Sequence, residues 1–237
     1  MYSGIARLID LFYWGGELFD EENLPASGPA VIVTNHNEVT GPLGAISSLP
    51  LRMYPWIISD MVDPEEAPDY IRKDFIERTL KMKPPRSLSV ARLLCRITVP
   101  LLNRVGCVPV YRKSAKIDIT WQKSLALLLA EKILLITPEY EHEIADPHTR
   151  MTSFRTGFAR LGEIFHQATG EVLYFYPVAI HESRRAMAGG RIGYNANHPG
   201  DQERIRVANM LAYSIREMYM QMAGEWLTGN LPAWHQR

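Results

Sequence analysis

Residues 30–47 read AVIVTNHNEVTGPLGAIS, a β-branched run that ends on Asn35-His36 and gives way to small residues. Ala30, Val31, Ile32 and Val33 predict a buried strand. Thr40 is a candidate N-cap and Pro42 suits a first helical turn, so a helix is predicted over 42–49. His36 then stands at the C-terminal end of a buried strand, where α/β proteins tend to keep their chemistry.

Outward from this stretch the pattern keeps alternating. Ile5, Leu8, Ile9, Phe12 and Tyr13 have helical spacing within residues 4–19, interrupted by Gly15-Gly16. Further strands are predicted at 53–58, 106–111, 133–137, 172–180 and 191–194. Further helices are predicted at 68–81, 87–104, 117–130, 153–168 and 200–223. Pro55 argues that its strand is an edge or is irregular, and Pro100 should kink its helix. The run Ile133 to Thr137 is continuously apolar, as a central parallel strand should be. The polar loop 138–152 is long for a compact domain, and such loops often carry function. The expected fold is a single α/β domain, with a mixed, largely parallel sheet flanked by helices. Residues 1–27 are expected to be a helical segment and 28–237 the α/β domain.

The totals narrow the function. The chain has 237 residues, 46% of them apolar, enough for a sizeable core. Lys and Arg number 26, Asp and Glu also 26, so the net charge argues against a nucleic-acid partner. Cys95 and Cys107 are too few for a disulfide framework and fit a reduced, cytoplasmic setting. No apolar run is long enough to suggest a transmembrane span, and the N-terminus does not look like a signal peptide.

Three predicted strands end in polar residues: Asn35-His36, Tyr111-Arg112-Lys113 and Thr137-Pro138-Glu139. In a parallel sheet such ends line one crevice, here holding a base, cations and a carboxylate. In this order they resemble the motifs of the glycerolipid acyltransferase superfamily, the relatives of 1-acylglycerol-3-phosphate acyltransferase. The likeness spans most of the chain, about residues 28–195. Asn35-His36 with Pro42-Leu43 is similar to the first motif, and GCVPVYR, ending at Arg112, to the second. Pro138-Glu139 with Phe154-Arg155-Thr156-Gly157 is similar to the third, and Tyr176-Pro177-Val178 to the fourth.

The resemblance implies transfer of an acyl chain from a thioester, on coenzyme A or acyl carrier protein, to a hydroxyl of a lipid-like acceptor. It implies no bound cofactor. His36 would be the general base. The family's aspartate orients the imidazole and stabilises the imidazolium. Arg112 would grip the acceptor's phosphate, because a planar guanidinium binds oxyanions bidentately. Asn35, Arg155 and Gly157 complete the implied substrate-binding set.

Two of the motifs depart from the family. Gly41 stands where the aspartate is expected, and Tyr140-Glu141-His142 stand where the family has Gly-Thr-Arg. Loss of an orienting carboxylate lowers the rate about 10⁴-fold in the serine-protease precedent. Glu38, Glu139 or Glu141 could replace it, Glu139 being preferred because the crevice would bring it near His36. Arg150 or Arg155 could replace the lost arginine. The alternative function is a catalytically impaired homologue that binds lipid or acyl groups. A third reading, a metal-dependent hydrolase, would draw on Glu141, His142, Glu143, Asp146 and His148. Their spacing matches no zinc pattern, so no metal is expected.

Residues 81–113 hold eight cations and no Asp or Glu, interleaved with Leu88, Leu93, Leu94, Ile97 and Leu101. That composition fits a helix lying on anionic lipid, with the N-terminal segment as a second contact. The expected location is the cytoplasmic, peripheral face of a membrane.

Overall fold

The computed structural model describes residues 16–36, 40–78, 80–112, 115–140 and 143–224. The predicted helix before residue 16, Glu38, Lys113, Glu141 and His142 lie outside the described residues. The strands are β1 (Glu17–Phe19), β2 (Ala30–Thr34), β3 (Met53–Ile58), β4 (Val108–Val110), β5 (Ile133–Ile136), β6 (Tyr174–His181), β7 (Arg185–Ala188) and β8 (Ile192–Gly193). The α-helices are α1 (Thr40–Ser48), α2 (Ala67–Ile71), α3 (Arg86–Val105), α4 (Ile117–Leu129), α5 (Arg160–Thr169) and α6 (Gly200–Ala223). The architecture is α/β with a mixed, largely parallel sheet flanked by helices. The chain forms two compact units: residues up to Met53 with those from Leu125 onward, and residues 54–124.

In the first unit β2 lies between β5 and β6 and is parallel to both, with Val31 opposite Leu134 and Phe175. Every residue of β2 and β5 is buried, which is why both read as unbroken apolar runs. β6 continues into the antiparallel β7, and β8 pairs with the start of β6 on the same edge. Pro177 falls where β6 changes partner, between the Phe175–Ile192 and Val178–Ala188 pairs. A residue without an N–H is tolerated there because the ladder is already interrupted. The core cluster joins Ile32, Ala45, Leu135 and Val178 across β2, α1, β5 and β6. α6 buries Val207, Leu211 and Ile215, four residues apart, and packs on β6.

In the second unit β3 and β4 run parallel, with Trp56 opposite Val108. Ala91, Cys95 and Val99 of α3 pack with Ala67, Ile71 and Ile76. α3 runs through Pro100, which sits on its exposed side, and ends at Gly106 with φ 87°. The left-handed cap requires the freedom of a glycine.

Three expectations need correction. Glu17–Phe19 is a strand in parallel register with β7 rather than the end of a helix. The two preceding glycines break the helical pattern, and Leu18 packs against the core cluster. The helix expected at 153–168 begins at Arg160, because Phe154 first forms a bridge with Glu139. The helix expected at 68–81 is α only to Ile71 and widens into a π-helix over Arg72–Glu77.

Candidate active site

β2 carries Asn35 and His36 out of the sheet at its C-terminal end. Asn35 is fully buried: its Nδ2 donates to the Ile180 carbonyl at 2.9 Å, and its Oδ1 accepts the Ile180 N–H at 2.8 Å. It therefore extends the β2–β6 pairing by one residue beyond the ladder. The side chain expected to bind substrate is thus fully buried and bonded to β6 through its Nδ2 and its Oδ1. His36, the next residue, is partly exposed.

Glu139 reaches His36, but through the main chain. Its Oε1 accepts the His36 N–H at 2.6 Å. Its Oε2 accepts the Thr152 N–H at 3.0 Å and the Thr152 hydroxyl at 3.3 Å. The carboxylate is 7% exposed, so it acts as a buried strut between the end of β2 and the returning loop. That loop is held again from behind, where Arg216 of α6 donates to the Thr152 carbonyl at 3.1 Å.

At Gly41, where the resemblance implies an aspartate, the backbone leaves no room for a side chain. The Gly41 N–H donates to the His36 carbonyl at 3.0 Å, which folds the start of α1 back onto the strand end. A Cβ at this position would overlap the Asn35 carbonyl oxygen and lie 2.5 Å from that of His36. Among the backbone arrangements of a strand-to-helix turn, this one admits no side chain at residue 41.

Arg155 supplies a cation to the same loop cluster. Its N–H donates to the Pro138 carbonyl at 2.8 Å, and its guanidinium lies 4.2 Å over the Tyr140 ring. Its Nε is buried without a hydrogen-bond partner among the described residues. Tyr140 thus holds the guanidinium by cation–π stacking. Arg150, the other candidate, pairs with Glu182 at 2.8 Å. Gly157 is exposed, and a Cβ there would meet open space, so no close approach demands a glycine. His181, at the end of β6, was not singled out by the sequence reading. Its Nδ1 pairs with the Ser183 hydroxyl at 2.6 Å, and its ring lies 4.5 Å from that of Tyr219. The signal available for it was the same as for His36, a histidine ending a buried strand.

Arg112 belongs to the second unit. It follows β4 and lines an open cavity of about 600 Å³ with Asp60, Asp63, Lys116 and Lys123. Cys107 lines that cavity too, and burial pushes its thiol up to about 12, which leaves little thiolate for nucleophilic chemistry. Among the described residues no three His, Cys, Asp or Glu side chains converge as metal ligands.

No family model matches the chain, and no curated protein matches its sequence. Among solved structures it is similar to the crystal structure of the 1-acyl-sn-glycerophosphate (LPA) acyltransferase PlsC from Thermotoga maritima, with a TM-score of 0.51. The match covers 92% of this chain and 80% of that one at 12% identity. The fold is acyltransferase-like. In this frame His36 follows the end of β2 and Glu139 follows the end of β5. No helix among the described residues is long and apolar enough to cross a membrane.

Proposed function

We propose that the chain transfers an acyl group from a thioester, on coenzyme A or acyl carrier protein, to the hydroxyl of an anionic, lipid-like acceptor. His36 removes the hydroxyl proton as the oxygen attacks the thioester carbonyl. The new C–O bond forms, the C–S bond breaks, and the proton passes to the departing thiolate. The observation that supports this reading is the anchoring of His36. Asn35 fixes the preceding residue to β6, and Glu139 takes up the His36 amide, so a partly exposed imidazole stands on a rigid strand end. Glu139 is in this reading a positioning residue that acts through the His36 backbone. Arg155, stacked on Tyr140, takes over the anion-binding task of the lost third-motif arginine. The resemblance assigns Arg112 the same task.

The test is thiol release from acyl-coenzyme A, with a lysophospholipid carrying a terminal phosphate or an uncharged monoacylglycerol as acceptor. Turnover should favour the phosphate-bearing acceptor. His36→Ala should abolish it, and Arg155→Ala should erase the preference by raising KM for that acceptor alone. Turnover that survives His36→Ala would sink the proposal. The close packing at Gly41 favours a second reading, a homologue that binds acyl lipid without turning it over. That reading stands if acyl lipid binds and no acceptor yields thiol.

A further inference from the structure

α3 presents two unlike faces. Ser87, Ala91, Cys95 and Val99, each four residues on from the last, are buried. On the outward side Leu93, Ile97 and Leu101 repeat the same spacing, yet are 60%, 67% and 38% exposed. Side chains four apart on a helix stack into one ridge. Single exposed aliphatics are ordinary, but an unbroken ridge of three is a contact surface. Arg92, Arg96 and Arg104 are exposed along the same helix, with no ion pair among the described residues.

Two acids lie nearby, and neither forms an ion pair with these arginines among the described residues. Glu65 and Asp69 line a groove with Arg92 and Arg96, and Asp69 is already paired with Arg72 at 3.3 Å. Arg86 and Arg104 lie near the two ends of the helix, and residues 81–112 contain no acid. An aliphatic ridge flanked by exposed cations matches one chemistry above others: acyl chains beneath a layer of anionic headgroups. A second copy of the chain fits worse, because a two-fold contact through this ridge would set arginines against arginines. A nucleic acid would answer the arginines but leave three large aliphatics against phosphate.

We propose that α3 is a membrane-docking helix, seating Leu93, Ile97 and Leu101 in an anionic lipid surface while its arginines engage the headgroups. The proposal does not depend on acyl transfer, since binding is read without turnover.

The experiment is co-sedimentation with vesicles of phosphatidylcholine alone and of phosphatidylcholine with phosphatidylglycerol in equal parts. The protein should bind the mixed vesicles and be released by raised salt. Arg92→Ala and Arg96→Ala should each weaken binding about fivefold. Leu93→Glu with Ile97→Glu should abolish it, while Ile97→Leu keeps it. These positions are exposed, so an unchanged circular-dichroism spectrum checks that each variant is folded. Equal binding to both vesicles would overturn the proposal. So would binding by the double glutamate variant, which would put the contact elsewhere in the chain. A dimer in sedimentation velocity that the double variant dissolves, with no vesicle binding by the wild type, would assign the ridge to self-association and overturn it as well.

Discussion

At residue 41 a single hydrogen atom in place of a side chain shapes the site. The sequence shows that a glycine stands where the resemblance implies an aspartate, but not that the position has no room. The exclusion comes from two carbonyl oxygens, of Asn35 and His36, brought over Gly41 by the turn into α1. Restoring the motif should therefore fail. Gly41→Asp is expected to lower stability by about 2–3 kcal/mol, as other overpacking changes do, and to add no turnover. Urea unfolding checks the first, and the thiol-release assay the second. A variant as stable as the wild type and faster in turnover would show that the turn opens to admit a dyad. Glu139 was legible as a partner of His36 because both end strands of one parallel sheet. That it takes the amide rather than the ring was not, since a motif fixes which residues meet and not which atoms.

At the scale of elements, the long buried strands and the last helix were readable because burial imposes an unbroken apolar run or a four-residue repeat. The strands β1 and β7 escaped for the opposite reason. Each has three or four residues, and the turn from β6 to β7 passes through Arg184 at φ 62° without the Gly or Asn that usually marks such a bend. The start of α5 was misplaced because Phe154 spends its backbone on Glu139 before the helix begins. The clamp at Asn35 binds two elements together and gives a test at this scale. Asn35→Ala would leave the Ile180 N–H and carbonyl buried without partners, beyond the last ladder pair of β2 and β6. The expected loss is about 2–3 kcal/mol, with faster hydrogen exchange at the Ile180 amide than at Val31 in mid-strand. Uniform acceleration along β2 would mean that the clamp contributes only to global stability.

Across the molecule, a net charge of zero conceals an uneven distribution, of which the acid-free stretch around α3 is one part and a buried carboxylate the other. Glu203 opens α6 with no exposure at all. Burial alone would raise its carboxyl, but hydrogen bonds from Arg206, the Asn195 amide and His198 outweigh that and hold it at about 2. Arg206 also donates to the Gly193 carbonyl at 2.7 Å, so the carboxylate ties the β8 end to the helix that covers β6. An unfolded glutamate titrates near 4.5. A carboxyl lowered in the folded state contributes stability that is complete above the unfolded value and is lost as pH falls from about 4.5 to about 2. The gap corresponds to about 3 kcal/mol. Glu203→Gln should unfold at lower urea than the wild type at neutral pH, and the two midpoints should converge as the pH approaches about 2. Midpoints that stay parallel across the acid range would mean that Glu203 holds α6 by hydrogen bonding alone, without its charge.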